Sequence, residues 1–204
     1  MKNNERTMVI VGSSFVFLDS ISFFFLDPED SLTLVVVCSE RASDVSFKTK
    51  EEAEKEFEGL AKKLIMKKNV VNFAGKYLIS DKISFLSLDA KENGKKREFV
   101  LKIFFENGAF VDEEFLMNEE KKEEIDQLVA DLRLGKIFKP NETTTIVFDK
   151  IVGVHLEFLE NKQPGLFVET KGHEIPFTGS PESLSGLIEN INKLSKLNPT
   201  TIYS

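Results

Sequence analysis

The side chains that most often carry out catalysis or bind metals are few in this sequence of 204 residues. There are two histidines, His155 and His173, and one cysteine, Cys38. His155 and Glu157 are two positions apart in a β-like run, so their side chains project from one face of a strand and could begin a metal site or an acid–base pair. No third ligand follows nearby. We therefore expect a non-enzymatic protein with no catalytic residue, no metal and no cofactor.

The other two reactive side chains have ordinary structural explanations. Cys38 ends the apolar run of residues 32–38, where a small buried side chain is expected rather than a reactive thiol. His173 falls in a predicted hairpin bend, where an exposed, solvated histidine is expected. A single cysteine permits no intramolecular disulfide, which suits a reducing compartment.

Charge and hydropathy narrow the classes of partner. The formal net charge of −7 predicts no overall attraction to nucleic acid or to an anionic membrane, although basic residues could cluster locally. Residues 8–26 are apolar enough to raise the question of a signal peptide or a membrane span, but Asp19 interrupts them and no small-residue cleavage site follows. We interpret this stretch as two β-strands and predict a cytoplasmic protein with no membrane partner.

Three parts of the chain share a pattern centred on an aspartate that stands two residues before an isoleucine. The three aspartates are Asp19, Asp81 and Asp149. Each is followed by apolar runs, turns and a helical stretch, which is the pattern of an internal repeat. The repeat predicts three tandem units, which cover residues 1–66, 67–139 and 140–204.

Each unit is predicted to end in one amphipathic helix, over residues 50–65, 119–134 and 181–196. Thr49 and Glu52 have the spacing of a capping box at the start of the first helix. Asn118 and Ser180 are candidate N-caps of the other two helices, and a proline follows Ser180 at the first helical position. Residues 198–204 are expected to form a frayed tail.

The fold class that follows is α+β, with three tandem β-β-β-β-α units, antiparallel sheets and one C-terminal amphipathic helix in each unit. The first strand of each unit is expected to end around its aspartate. The strand after Asp19 is apolar on both of its alternating faces, so its sheet needs a covering on each side. Because one helix covers only one face, we expect the units to pack on one another.

Two stretches of the middle unit resemble a known repeat. Residues 85–93, Phe-Leu-Ser-Leu-Asp-Ala-Lys-Glu-Asn, are followed by a basic turn and by residues 97–103, Arg-Glu-Phe-Val-Leu-Lys-Ile. They are similar to the second and third strands of a PUR repeat, the β-β-β-β-α module of purine-rich-element binding proteins. The resemblance implies that two repeats intertwine into one globular body, that a third mediates dimerisation, and that the sheet binds single-stranded DNA or RNA.

The sequence supports two functional hypotheses. The first is a protein-interaction or scaffold module whose units pair through their sheets, with a homodimer formed through residues 140–204. The second is a single-stranded nucleic-acid binding protein of PUR-like architecture, in which basic side chains contact phosphates and aromatic side chains stack on bases. The site residues of this second hypothesis are Lys91, Lys95, Lys96, Arg97, Lys102, Phe99 and Phe104.

Overall fold

A computed structural model of the chain describes residues 7–12, 14–38, 41–93, 96–159 and 163–196. These residues form helices and antiparallel strand pairs, which confirms the α+β class. The chain divides into a first compact body, residues 1–83 with 118–134, and a second compact body, residues 84–117 with 135–204. No helix among the described residues is long and apolar enough to cross a membrane. The predicted tail at residues 198–204 lies outside the described part of the chain.

The described residues form fifteen strands and three helices. The strands are β1 (Met8–Val11), β2 (Ser14–Phe17), β3 (Ile21–Leu26), β4 (Thr33–Cys38), β5 (Ala42–Ser46), β6 (Val70–Phe73), β7 (Lys76–Ile79), β8 (Ile83–Asn93), β9 (Lys96–Phe105), β10 (Phe110–Leu116), β11 (Ile137–Phe138), β12 (Thr144–Val147), β13 (Ile151–Phe158), β14 (Pro164–Thr170) and β15 (His173–Thr178). The helices are α1 (Lys50–Ile65), α2 (Glu119–Leu132) and α3 (Pro181–Lys196).

The aspartates of the sequence pattern lie at the centres of three short 3-10 turns, Leu18–Ser20, Ser80–Lys82 and Phe148–Lys150. Two short strands precede each turn, and three strands and a helix follow it. A strand does end beside each aspartate as predicted, but it is the second strand of a hairpin and not the first strand of a series. The strands of these hairpins have four residues or fewer, too few to show a clear alternation.

The start of α1 confirms the predicted cap with one change in its partners. The backbone N–H of Glu52 donates to the Thr49 hydroxyl oxygen at 3.2 Å. In return, the Glu52 carboxylate accepts from the backbone N–H of Lys48, also at 3.2 Å, rather than from that of Thr49. The first bond satisfies a backbone donor that the first helical turn leaves open, and the second satisfies the N–H of the residue before the cap.

The other helices also begin at their predicted caps. The Asn118 side-chain oxygen accepts from the N–H of Lys121 at 2.7 Å, and the Ser180 hydroxyl accepts from the N–H of Ser183 at 3.3 Å. α2 ends where Arg133 takes the left-handed conformation, with φ of 48°. The Asn69 amide, from the segment before β6, donates to the carbonyls of Asp131 and Leu132 and so satisfies two acceptors at this helix end.

The first sheet has the strand order β5-β4-β3-β7-β6 and lies in the first body. β3 is buried on both faces over its first four residues, and α1 packs against β3 and β4. The Phe24 ring contacts the rings of Phe57 from α1 and Tyr77 from β7, at a centroid distance of 5.4 Å in each case. The hairpin of β6 and β7 therefore shares the core that α1 covers.

The second body contains the second sheet, of order β10-β9-β8-β12-β11, and the third sheet, of order β13-β14-β15. α3 packs against β14. One core cluster draws on both sheets and on α3, and its buried members are Phe85, Phe138, Ile146, Leu166, Val168, Ile175, Phe177, Leu184 and Ile191. The apolar positions of α3 were predicted from their helical spacing, and they face this core.

Two of the hairpins that precede an aspartate complete a sheet formed by strands earlier in the chain. β7 pairs with β3, with Leu78 opposite Phe23, and β12 pairs with β8, with Ile146 opposite Phe85. The hairpin of β1 and β2 forms a sheet of its own, and no third described strand pairs with it. In the third sheet β13 is an edge strand whose one described neighbour is β14.

A charged cluster stabilises the turns that lie beside the third sheet. The Glu106 carboxylate accepts hydrogen bonds from the ammonium groups of Lys150 and, at 3.2 Å, of Lys171. Gly172, with φ of 89°, permits a close approach, since a Cβ there would stand 2.6 Å from the Glu106 carbonyl oxygen. Burial opposes the ionisation of Glu106, but the two lysines outweigh it and lower the pKa of this carboxyl.

We expect the Glu106→Gln substitution to destabilise the protein by about 1 kcal/mol at neutral pH, because it removes the acceptor charge of a partly screened pair. A carboxyl with a lowered pKa stabilises the folded state fully at pH values above its ordinary pKa of 4.5, and this contribution is lost as the pH falls below that value. The difference in melting temperature between the wild type and the variant should therefore shrink below that pH. Glu142→Gln, at an exposed position, is the control, and an equal effect of both substitutions would contradict this role of Glu106.

Candidate functional site

The basic residues predicted to contact phosphates are neutralised where their side chains are described. The Lys91 ammonium on β8 lies 2.8 Å from a Glu114 carboxylate oxygen on β10, and the Lys102 ammonium on β9 lies 2.9 Å from one of Asp89 on β8. The bond to Glu114 raises the pKa of Lys91. Partial burial opposes the ionisation of Asp89, but the Ser87 hydroxyl and Lys102 outweigh it and lower its pKa. This face of the second sheet therefore carries mixed charge.

The predicted aromatic residues do not form one stacking surface. Phe99 and Phe104 are five positions apart in the unbroken ladder of β9 with β10, so they lie on opposite faces. The half-buried Phe104 ring stacks on Phe85 with centroids 4.2 Å apart, and Phe99 stacks on Phe115 at 6.4 Å. Both rings therefore have intramolecular partners.

The remaining basic residues of the prediction cannot be placed as a site. Lys95 lies outside the described residues. Lys96 and Arg97 begin β9, and their side chains are outside the description. Of the predicted residues whose side chains are described, Lys91, Lys102 and Phe104 lie on one face.

We expect labelled single-stranded DNA or RNA to show no binding to the wild type at near-physiological salt in fluorescence anisotropy, because carboxylates neutralise the described lysines. An Asp89→Asn/Glu114→Gln variant, which releases both ammonium groups, should bind more tightly than the wild type at low salt. Tight, salt-sensitive binding by the wild type that is lost in a Lys91→Glu/Lys102→Glu variant would contradict this expectation and favour the nucleic-acid hypothesis.

The third sheet assembles a cluster around His155, of which the sequence indicated only the pair with Glu157. His155 Nδ1 lies 3.3 Å from a Glu169 oxygen, and Nε2 lies 3.6 Å from Glu157 and 3.9 Å from Glu174. The imidazole stacks on Phe167, the residue opposite it on β14. Glu169 and Glu174 are directly opposed on β14 and β15, so the third ligand that is missing near His155 in sequence comes from neighbouring strands.

The ligand atoms of His155, Glu169 and Glu174 all lie within 4.8 Å of one another, which is close enough for them to hold one metal ion. One imidazole nitrogen and two carboxylate oxygens form a ligand set that Zn²⁺ accepts. The set is also explained without a metal, because exposed acidic side chains often lie close together on neighbouring strands without binding an ion.

The remaining cysteine and histidine are structural. Burial raises the pKa of the Cys38 thiol above 9.0, its ordinary value, which keeps it protonated at neutral pH. The prediction of a solvated His173 is wrong: the side chain is half-buried, its Nε2 lies 2.9 Å from the Phe105 carbonyl oxygen, and its ring packs edge-on against Phe85 and Phe104. Phe85 and Phe104 are far from His173 in sequence, and the folding of the strands brings the three rings together.

The most unusual surface of the described residues is the β13 edge. Leu156 is 57% exposed and Phe158 is 81% exposed, although their side chains point to the face that α3 covers. The equivalent strands of the other sheets, β3 and β8, are each paired on both sides, and their first four residues are buried. The exposure of β13 therefore coincides with the missing neighbour on its outer side.

The other sheet edges carry features that oppose the addition of a strand. β10 presents three consecutive acidic residues, Asp112, Glu113 and Glu114, and β15 contains Pro176, which lacks an N–H. β5 is short and mostly polar, and β6 and β11 have only four and two residues. Among the described edges, β13 is the longest, with eight residues, and it has neither a proline nor a run of acidic residues.

A second apolar surface lies on the outer face of the hairpin formed by β1 and β2. Val9, Val11 and Val16 are buried in the core of the first body. The alternate side chains face outward, and they are Met8, Ile10, Phe15 and Phe17, with exposures of 51%, 57%, 64% and 43%. Four exposed apolar side chains on four-residue strands form a continuous patch of the kind found at interaction sites.

Comparison with known proteins adds no assignment to these surfaces. No protein-family model matches the chain, and no curated protein matches it in sequence. The sequence did not indicate the two apolar surfaces, because apolar side chains in strands are most often buried. The alternation of Val152, Val154, Leu156 and Phe158 was visible, but only the sheet order shows that no described strand follows β13.

Proposed function

We propose that this protein is a non-enzymatic interaction module that self-associates by adding a strand to the β13 edge of its third sheet. The single observation that carries the proposal is an edge strand of eight residues with Leu156 and Phe158 exposed on its core-side face. An added strand satisfies the outward N–H and C=O groups of an edge and gains affinity from them, while side-chain contacts supply specificity. This site lies in residues 140–204, where the sequence predicted a homodimer contact.

The proposal includes the three tandem units of the sequence analysis. The order of hairpin, aspartate turn, three strands and helix occurs three times along the chain. β3 and β13 even share a bulge at the same place, between Ile21 and Phe23 and between Ile151 and Gly153. Because β3 still pairs with β7 beyond its bulge, the bulge in β13 does not prevent a strand from pairing there.

The charges on the second sheet favour this function over nucleic-acid binding. A phosphate-binding surface needs cations that are not already matched by carboxylates. Both described lysines of the proposed nucleic-acid site have carboxylate partners at hydrogen-bonding distance. A protein surface, in contrast, tolerates such paired charges around an apolar centre.

We expect Leu156→Lys to weaken self-association, because it places a charge in the centre of the apolar edge. The expected loss is about 2 kcal/mol or more, roughly thirtyfold in the dissociation constant. The measurement is sedimentation velocity over a micromolar concentration range, with circular dichroism to confirm that the variant folds. Since Leu156 is already 57% exposed, its replacement should not disrupt the core.

Leu116→Lys is the matched control, because Leu116 is 53% exposed and also ends an edge strand, β10. It should leave the dissociation constant unchanged. A wild type that stays monomeric at every concentration, or equal losses in the two variants, would rule out the β13 edge as the site of self-association.

A further inference from the structure

The hairpins that precede an aspartate provide a template for what covers β13. In the first sheet, Tyr77 and Leu78 of β7 lie opposite Phe24 and Phe23 of β3. Tyr77 and Leu78 are four and three positions before Asp81. Phe24 and Phe23 are five and four positions after Asp19. The Tyr77 ring packs on Phe24, so this register also determines which side chains meet in the core.

The second sheet has the same register. Thr145 and Ile146 of β12 lie opposite Leu86 and Phe85 of β8. Thr145 and Ile146 are again four and three positions before an aspartate, Asp149. Their partners on β8 are again five and four positions after an aspartate, Asp81. One rule therefore describes both pairings. The second strand of a hairpin pairs with the strand that follows the preceding aspartate turn, and the paired residues lie at fixed numbers of positions from the two aspartates.

The rule leaves one hairpin and one sheet without a counterpart among the described residues. The hairpin of β1 and β2 pairs with no other sheet, and β13 has no strand on its outer side. On β13 the corresponding positions are Gly153 and the half-buried Val154, and the exposed Leu156 and Phe158 follow them along the strand. Phe15, four positions before Asp19, is 64% exposed, whereas Tyr77 at the same place in its hairpin packs against Phe24 and Phe57.

We propose that the hairpin of β1 and β2 of one copy pairs antiparallel with β13 of a second copy, with Phe15 opposite Val154 and Val16 opposite Gly153. The inference rests on the proposed function and adds the identity and the register of the strand that covers β13. The contact is heterologous, because different surfaces of the two copies meet. The hairpin keeps Val9, Val11 and Val16 in its own core, so the two copies associate without unfolding.

The packing of α3 fits this arrangement. Phe57, which receives the Tyr77 ring, lies eight positions after the Thr49 cap of α1. The residue eight positions after the Ser180 cap of α3 is Ile188, a partly buried member of the core that includes Val154. Phe15 docked opposite Val154 would therefore meet an apolar helix residue at the place where Tyr77 meets Phe57.

Single cysteines placed in full-length Cys38→Ala protein test the register. Under mild oxidation, a mixture of Phe15→Cys and Val154→Cys proteins should form at least about tenfold more disulfide than Phe15→Cys with Phe158→Cys, because position 158 is four residues and about 13 Å further along β13. The yields are measured on non-reducing gels, and the linked peptides are identified by mass spectrometry. Val154→Cys protein alone should form little disulfide.

Three results would overturn this inference, and they differ in what they mean for the proposed function. Efficient disulfide formation by Val154→Cys protein alone would show that two β13 edges pair with each other. The β13 edge would then remain the site of self-association, but the hairpin would not be the strand that covers it. Equal disulfide yields for Val154→Cys and Phe158→Cys with Phe15→Cys protein would contradict the proposed register. A wild type that never self-associates would remove the proposed function together with the inference.

A second variant tests the same contact without cysteines. Phe15→Lys should weaken self-association at least about tenfold in sedimentation velocity, as expected for a central apolar contact. Phe110→Lys, at a phenylalanine that is 50% exposed on β10, is the control and should have no effect. Unchanged association of the Phe15→Lys protein would exclude the hairpin as the strand donor, even if Leu156→Lys abolishes association.

Discussion

The pairing of a short hairpin with the first strand of a sheet formed earlier in the chain is the interaction on which the rest of the structure depends. β7 closes the outer side of β3, and β12 closes that of β8. Each pairing satisfies the backbone groups of a central strand and extends the apolar face that the core requires. Where the described residues contain no such hairpin, at β13, apolar side chains are exposed.

Polar interactions have a different role, which is to hold turns and helix ends in place. Asn69 satisfies two carbonyls at the end of α2, and Glu106 joins Lys150 to Lys171 beside the third sheet. The charges on the exposed face of the second sheet are likewise paired with one another. The charged side chains of these surfaces are thus largely paired within the protein. The features that indicate a partner are the exposed apolar side chains of β13 and of the hairpin of β1 and β2.

The helices could be predicted from the sequence, whereas the partners of the strands could not. Each helix has a local cap and a local apolar spacing, so Thr49, Asn118 and Ser180 were sufficient to locate them. The hairpins escaped prediction because strands of two to four residues give no periodic signal, and the turn at Ala74 and Gly75 depends on positive φ angles. The contacts of His155 with Glu169 and Glu174 escaped it because these residues meet only across strands.

Hydrogen–deuterium exchange measured by mass spectrometry at low and high protein concentration tests the central claim most directly. If a strand of a second copy pairs with β13, amide exchange in residues 151–158 should slow as the concentration rises, while the edges at β10 and β15 should exchange at a constant rate. Exchange in residues 151–158 that is the same at every concentration would contradict the claim that this edge is a site of association.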